Sequence, residues 1–301
     1  MLARRAVTAG MLFLCAITGA RSDDFSCASP STTDSPAVIA TTLGATPALI
    51  RVPGRISKPP IILWHGFGPP DSERALMEAL PLDDVPAVKV YLGLPMFGSR
   101  ALAPGELARR QREDLGTLVF EPVVMAGAKE LAPVVRALEQ RGCVRSGAAI
   151  GIFGFSAGGA AALYALAEAD VRIGVAVTLN ASTGLSASVA AYERVTKDSY
   201  EWTAATRKLA RRSDAVSRAK DIAAGESPPA LLIIHGAEDA MLTPSVAVTL
   251  HEALQPLYAQ TSTADRLQLS VVPGLGHAWA SETQDVEALR GPIAAWFHTH
   301  L

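Results

Sequence analysis

Charge is sparse in this 301-residue chain and leans to neither sign: 27 Lys and Arg stand against 29 Asp and Glu, and charged residues make up 19%. So even a balance leaves no basic footprint for nucleic acid. With hydrophobic residues at 49%, the chain is also too apolar for a disordered protein. Cysteine is limited to three positions, Cys15, Cys27 and Cys143, none in a Cys-x-x-Cys pair, and there is no His-Glu-x-x-His. The common zinc signatures are therefore missing. Gly-x-Gly-x-x-Gly and Gly-x-x-x-x-Gly-Lys are missing too, which removes the usual phosphate-cradling loops. No fixed-period repeat, low-complexity tract or linker divides the body.

Long hydrophobic runs are absent as well. The run Ala6–Ala20 is interrupted by Thr8, Gly10, Thr18 and Gly19, and falls short of the roughly 20 apolar residues that a membrane-spanning helix needs. With Arg4 and Arg5 ahead of it and small residues at Thr18-Gly19-Ala20, residues 1–20 read as a secretory signal, so the expected location is secreted or periplasmic, with no stable membrane span in the mature protein. Residues 21–36, rich in Ser, Thr and Asp, read as a flexible leader. Export would allow Cys27 and Cys143 to oxidise; two cysteines alone leave a bond and two free thiols both open.

The remaining body, residues 37–301, alternates strand and helix patterns. Apolar runs at Ala37–Thr42, Ala48–Val52, Ile61–His65, Ala87–Leu92, Ala148–Gly154, Ile173–Leu179, Ala230–His235 and Leu267–Val272 predict eight strands. Several are continuously hydrophobic, as strands covered on both faces are. Helix patterns fall at Ser72–Ala79, Pro122–Gln140, Ala157–Ala169, Thr206–Ala223, Val246–Tyr258 and Val286–Thr299. The expectation is an α/β fold: a mostly parallel central sheet flanked by helices, an antiparallel edge at its start, and a small helical insertion at 181–227, after the sixth strand.

The chemistry-bearing residues gather at predicted strand ends. Gly154-Phe155-Ser156-Ala157-Gly158-Gly159 follows one strand and opens an Ala-rich helix. This is Gly-x-Ser-x-Gly in its strand–turn–helix context, which makes Ser156 the candidate nucleophile. A serine hydroxyl needs a base. His277, in Gly274-Leu275-Gly276-His277 after the last strand, is the candidate; His251 falls in a helix pattern, and His298 and His300 end the last helix at positions expected to be solvated. The base needs an acid to fix its tautomer. Asp239 follows the strand ending in Ile234-His235-Gly236, with the adjacent Glu238 as second choice. An acyl-transfer oxyanion needs two fixed N–H donors. Ala157 supplies one; the other comes from His65-Gly66-Phe67-Gly68, with Phe67 preferred over Gly66. His65 and His235 read as structural. The segment Leu92–Val119, with Met96, Phe97, Arg100, Leu102 and Leu118, follows a strand end and is a candidate substrate pocket or a plain connection. Tyr192, Tyr200 and Trp202 either form a lid or pack the insertion down.

The His-Gly loop, the Gly-Phe-Ser-Ala-Gly-Gly turn, His235-Gly236-Ala237-Glu238-Asp239 and Gly276-His277, in that order, resemble the α/β-hydrolases, and more narrowly the prolyl oligopeptidase-like and dienelactone hydrolase-like branch. The likeness runs from about Ile61 to the C-terminus. Departures from it are informative. Dienelactone hydrolases carry cysteine where this chain has Ser156, and dehalogenases and epoxide hydrolases of the fold carry aspartate. Prolyl peptidases bear an N-terminal propeller, for which the stretch between Ala20 and Ile61 is too short. The resemblance implies a serine hydrolase of carboxylic esters, short-chain or soluble, acting on a small-molecule ester with neither metal nor cofactor. An exported prolyl oligopeptidase-like peptidase and a non-catalytic binding protein on the same fold are the alternatives.

Overall fold

A computed structural model describes residues 25–27, 36–280 and 286–301; the expected signal at 1–20 and most of the expected leader at 21–36 lie outside the described residues. Eight strands form one sheet: β1 (Ala37–Leu43), β2 (Thr46–Val52), β3 (Ile61–Trp64), β4 (Lys89–Leu92), β5 (Ile150–Phe155), β6 (Ile173–Leu179), β7 (Ala230–Gly236) and β8 (Leu267–Val272). Their spatial order is β1-β2-β4-β3-β5-β6-β7-β8. The pairs β1/β2 and β2/β4 are antiparallel and every later pair is parallel. The antiparallel start follows from the sequence: Gly44, at φ 62°, turns β1 straight back into β2, with no room for a crossover helix.

All four residues of β3, all six of β5 and all seven of β7 are buried. Alternation along the strands sends side chains into two cores. Ile62, Trp64 and Ile152 face one layer, where they meet α4 (Leu131–Gln140), α5 (Ala157–Glu168) and α9 (Ser245–Gln260). Ile61, Leu63 and Phe153 face the other, with α1 (Glu73–Ala79) and α10 (Glu287–His300). Burial on both faces is what turns these strands into uninterrupted apolar runs. The register pairs Trp64 with Leu92 on one side and with Gly154 on the other. The carboxyl ends of β3, β4 and β5 thus arrive together at one edge.

Helices differ from expectation where the apolar signal is weak. α2 (Glu106–Leu115) buries only Leu115, so no stripe announced it. At Asp114 the backbone leaves helical angles; its carboxylate caps the next helix, accepting from Gly116 N–H (2.9 Å) and the Thr117 hydroxyl (2.6 Å). A π-helical stretch, Gly116–Met125, follows and contains Pro122, which has no N–H to donate; α3 (Ala126–Lys129) links it to α4. The insertion holds α6 (Leu185–Thr196), α7 (Ala204–Ser213) and α8 (Ala219–Ile222). The single helix expected at Thr206–Ala223 is broken, because Asp214 adopts extended backbone and accepts Val216 N–H (3.1 Å) with its own side chain. Tyr200 packs the insertion down: its hydroxyl donates to Asp114 at 2.5 Å and its ring meets Trp202 edge-on at 5.0 Å. Cys27 and Cys143 are bonded, with Cα atoms 4.9 Å apart, and fasten residues 25–27 to the turn after α4. His298 is exposed as expected, but His300 is half-buried against Trp296, ring centroids 4.1 Å apart.

Candidate active site

Ser156 sits between the end of β5 and the first turn of α5, at φ 53° and ψ −113°. A side chain other than glycine's is strained there. The strain persists because neighbours fix the turn on all sides. Ser156 N–H donates to Leu179 O (3.0 Å), and its carbonyl accepts from Ala160 N–H (3.0 Å) and Ser182 N–H (3.2 Å). The flanking residues must be small: a Cβ on Gly154 would lie 2.2 Å from Gly158 O, and one on Gly158 would lie 2.4 Å from His65 O.

His277 comes from the loop after β8. Its Nε2 lies 3.1 Å from Ser156 Oγ, and its Nδ1 lies 2.7 Å from Asp239 Oδ2. The Asp239 contact places the ring proton on Nδ1 and leaves Nε2 free to accept from the serine hydroxyl. Asp239 is 2% exposed, whereas Glu238 is exposed. Its other oxygen accepts from Met241 N–H (2.9 Å) and Leu242 N–H (2.8 Å). Burial opposes ionisation of this carboxyl. Hydrogen bonds from His235 and His277, the charge of His277 and the Leu242 N–H outweigh it and hold the carboxyl well below the usual carboxylate range. Asp239 is therefore an anion whenever His277 gains a proton.

Of the two candidate donors in the His-Gly loop, Gly66 N–H is already committed to Pro70 O (3.1 Å). Phe67 N–H and Ala157 N–H hydrogen-bond no described residue. Ala157 is the first residue of α5, so its N–H belongs to the helix's unsatisfied end. His65 secures this loop: Nδ1 donates to Gly66 O (2.7 Å) and Nε2 accepts from Leu94 N–H (3.0 Å). Burial is the main reason the His65 pKa lies below its ordinary value. Its role is structural, as the sequence suggests. His235 is structural too, donating from Nε2 to Leu242 O (2.7 Å), with the same nitrogen 3.4 Å from Asp239.

Asn180, at the end of β6, carries structure that the sequence reading overlooked. Its amide donates to Gly276 O (2.9 Å) and His277 O (3.3 Å), and its side-chain oxygen accepts from Gly236 N–H (2.7 Å). It is fully buried at φ 45° and ties the ends of β6 and β7 to the His277 loop. A polar residue closing the run Ile173–Leu179 was the available signal. In the segment after β4, Phe97 and Met96 border a cleft, whereas Arg100 turns away to pair with Glu130 at 2.7 Å.

The chain covers 87% of its own length in superposition on TT1662 from Thermus thermophilus (98% of that chain, TM-score 0.64, 19% identity). It overlays dipeptidyl peptidase 4 from Porphyromonas gingivalis over 88% of its length but only 35% of that chain (TM-score 0.60, 16% identity). Dienelactone hydrolase from Anabaena variabilis matches over 88% of this chain and 99% of that one (TM-score 0.53, 18% identity). At these identities the likenesses carry the fold, which is that of the α/β-hydrolases. No curated protein matches the chain by sequence. A family model described as the prolyl oligopeptidase family matches residues 126–301, more than half of the chain and all of the segment bearing Ser156, Asp239 and His277. The chain belongs to the prolyl oligopeptidase family, a family of serine hydrolases.

Proposed function

We propose that this protein hydrolyses carboxylic esters of short or soluble acids through an acyl-enzyme on Ser156. The observation that carries the reading is the relay from Ser156 Oγ to His277 Nε2 and from His277 Nδ1 to Asp239, built on a strained turn. His277 takes the hydroxyl proton as Ser156 attacks the ester carbonyl. Asp239 holds the ring tautomer and stabilises the imidazolium. Phe67 and Ala157 N–H groups receive the oxyanion, and losing one such donor costs roughly 10²–10³ in rate. The protonated His277 then passes its proton to the departing alcohol, and water repeats the sequence to release the acid. Short or soluble substrates fit an insertion whose helix α7 carries Lys208, Arg211 and Arg212 and is largely exposed, unlike an apolar lid.

A peptidase acting through the same residues is the second reading, favoured by the family match itself. Purified protein assayed on p-nitrophenyl acyl esters and on aminoacyl p-nitroanilides separates the two. The ester reading expects turnover of the esters, near-silence on the anilides, and loss of about 10⁶ in kcat for Ser156→Ala; wild-type turnover by that variant would end both readings. We also propose export to the periplasm or medium. The Cys27–Cys143 bond supports it, since such bonds persist in oxidising compartments.

A further inference from the structure

The turn at Gly66 packs directly on the nucleophile, as a Cβ at Gly66 would lie 3.0 Å from Ser156 Cβ. The next residue, Phe67, stacks its ring on Phe97, centroids 4.7 Å apart and planes within 9°. These rings, with Met96, Leu102 and Leu107, wall a cleft of about 460 Å³. Met96 is held at φ 71°, a conformation costly for an unbranched side chain other than glycine. Polar and apolar groups share the lining of the cleft, and among the described residues Asp71 is its one charged member.

Asp71 is exposed and makes no ion pair or hydrogen bond with any described residue. Most other charges nearby are paired, and Glu73, which has no ion pair among the described residues, is buried with its carboxylate accepting from Ser99 N–H (3.1 Å). Arg110 reaches Met96 Sδ at 4.0 Å, but Glu106 binds its guanidinium at 2.7 Å. Arg109 bridges Glu106 and Glu113, so this group of two cations and two anions is neutral. Arg100 pairs with Glu130. Arg74, one turn beyond Asp71, lines the neighbouring groove instead. Among its lining residues the cleft therefore presents one uncompensated negative charge beside two aromatic rings. Both features attract a cation carried on an apolar chain.

We infer that this cleft is a substrate subsite that selects cationic over neutral acyl groups, the apolar chain lying along Phe67, Phe97 and Met96 and its terminal ammonium facing Asp71. The inference rests on Ser156 as the nucleophile beside it. An exposed ion pair contributes modestly; together with the aromatic faces, the expected preference is about 3- to 10-fold.

The test uses paired p-nitrophenyl esters of increasing chain length, one set ending in tert-butyl and its isosteric partner in trimethylammonium. The cationic ester should show the higher kcat/KM at the best length, by about 3- to 10-fold, and the preference should shrink as salt is raised. Asp71→Asn should lower the ratio to the small part that the aromatic rings supply, about 2-fold or less, Asp71→Glu should retain more of it, and Arg74→Gln should leave it in place. A wild-type ratio of one at every length overturns the subsite, as does an unchanged ratio in Asp71→Asn. A protein that turns over none of the esters and whose Ser156 resists a fluorophosphonate refutes the nucleophile assignment instead, so the two failures look different.

Discussion

Replacing Asn180 with Asp should slow the enzyme in a pH-dependent way while leaving it folded. The side chain keeps its size, and its acceptor for Gly236 N–H (2.7 Å) survives. What disappears is the amide donor that holds Gly276 O at 2.9 Å and His277 O at 3.3 Å. Two such bonds are worth about 2 kcal/mol together. If the whole loss is felt in the transition state, through a displaced His277, kcat/KM falls about 30-fold. The new carboxyl is fully buried, with two carbonyl oxygens facing it, so its pKa rises. While protonated it can return one of the lost bonds; once ionised it returns neither and repels both carbonyls. The variant-to-wild-type ratio of kcat/KM should therefore decline as pH rises through that raised pKa, with little change in KM. Steady-state hydrolysis of p-nitrophenyl acetate by both proteins from mildly acid to alkaline pH measures the ratio, and thermal melting confirms folding. A folded variant matching wild type at every pH would refute the argument that Asn180 positions the His277 loop.

Two further substitutions probe the frame around the site. Gly158→Ala places a Cβ 2.4 Å from His65 O and 2.5 Å from Trp64 O, so thermal denaturation should show a loss of roughly 1–3 kcal/mol; an unchanged melt would mean that α5 does not press on the end of β3. Lys89 is fully buried on β4, where its ammonium donates to Val85 O at 3.1 Å, and burial depresses its pKa to about 8. The unfolded chain keeps the ordinary 10.5, so the folded state bears the full penalty below pH 8 and is relieved of it as pH rises toward 10.5. Denaturant titrations should find Lys89→Met more stable by about 1–3 kcal/mol at pH 7, with the gap closing across that window; a gap independent of pH would contradict the buried charge.

Strands buried on both faces were plain in the sequence, because nothing polar interrupts runs such as Leu231–Ile234. The Ser156 turn was legible for a steric reason: only glycines fit where Gly154 and Gly158 meet other backbone atoms. His277 and Asp239 were singled out through chain order and strand ends, and the structure brings His277 within hydrogen-bonding distance of both Asp239 and Ser156. Less legible was anything that depends on tertiary contact. Helix α2 buries only Leu115, so periodicity was silent. The break at Asp214 arises from a local side-chain bond competing with the helix. Asn180 looks like an ordinary loop residue until the ends of β6 and β7 and the His277 loop converge on it. The choice of Phe67 over Gly66 is supported by Pro70 O, which takes the Gly66 N–H.

The most direct test of the central claim is covalent labelling of the purified protein with a fluorophosphonate, mapped by peptide mass spectrometry and timed. The account predicts a single adduct on Ser156, formed about 10³-fold more slowly when His277→Ala removes the base. An adduct on a different residue, no adduct at all, or labelling of Ser156 at the wild-type rate without His277 would contradict it.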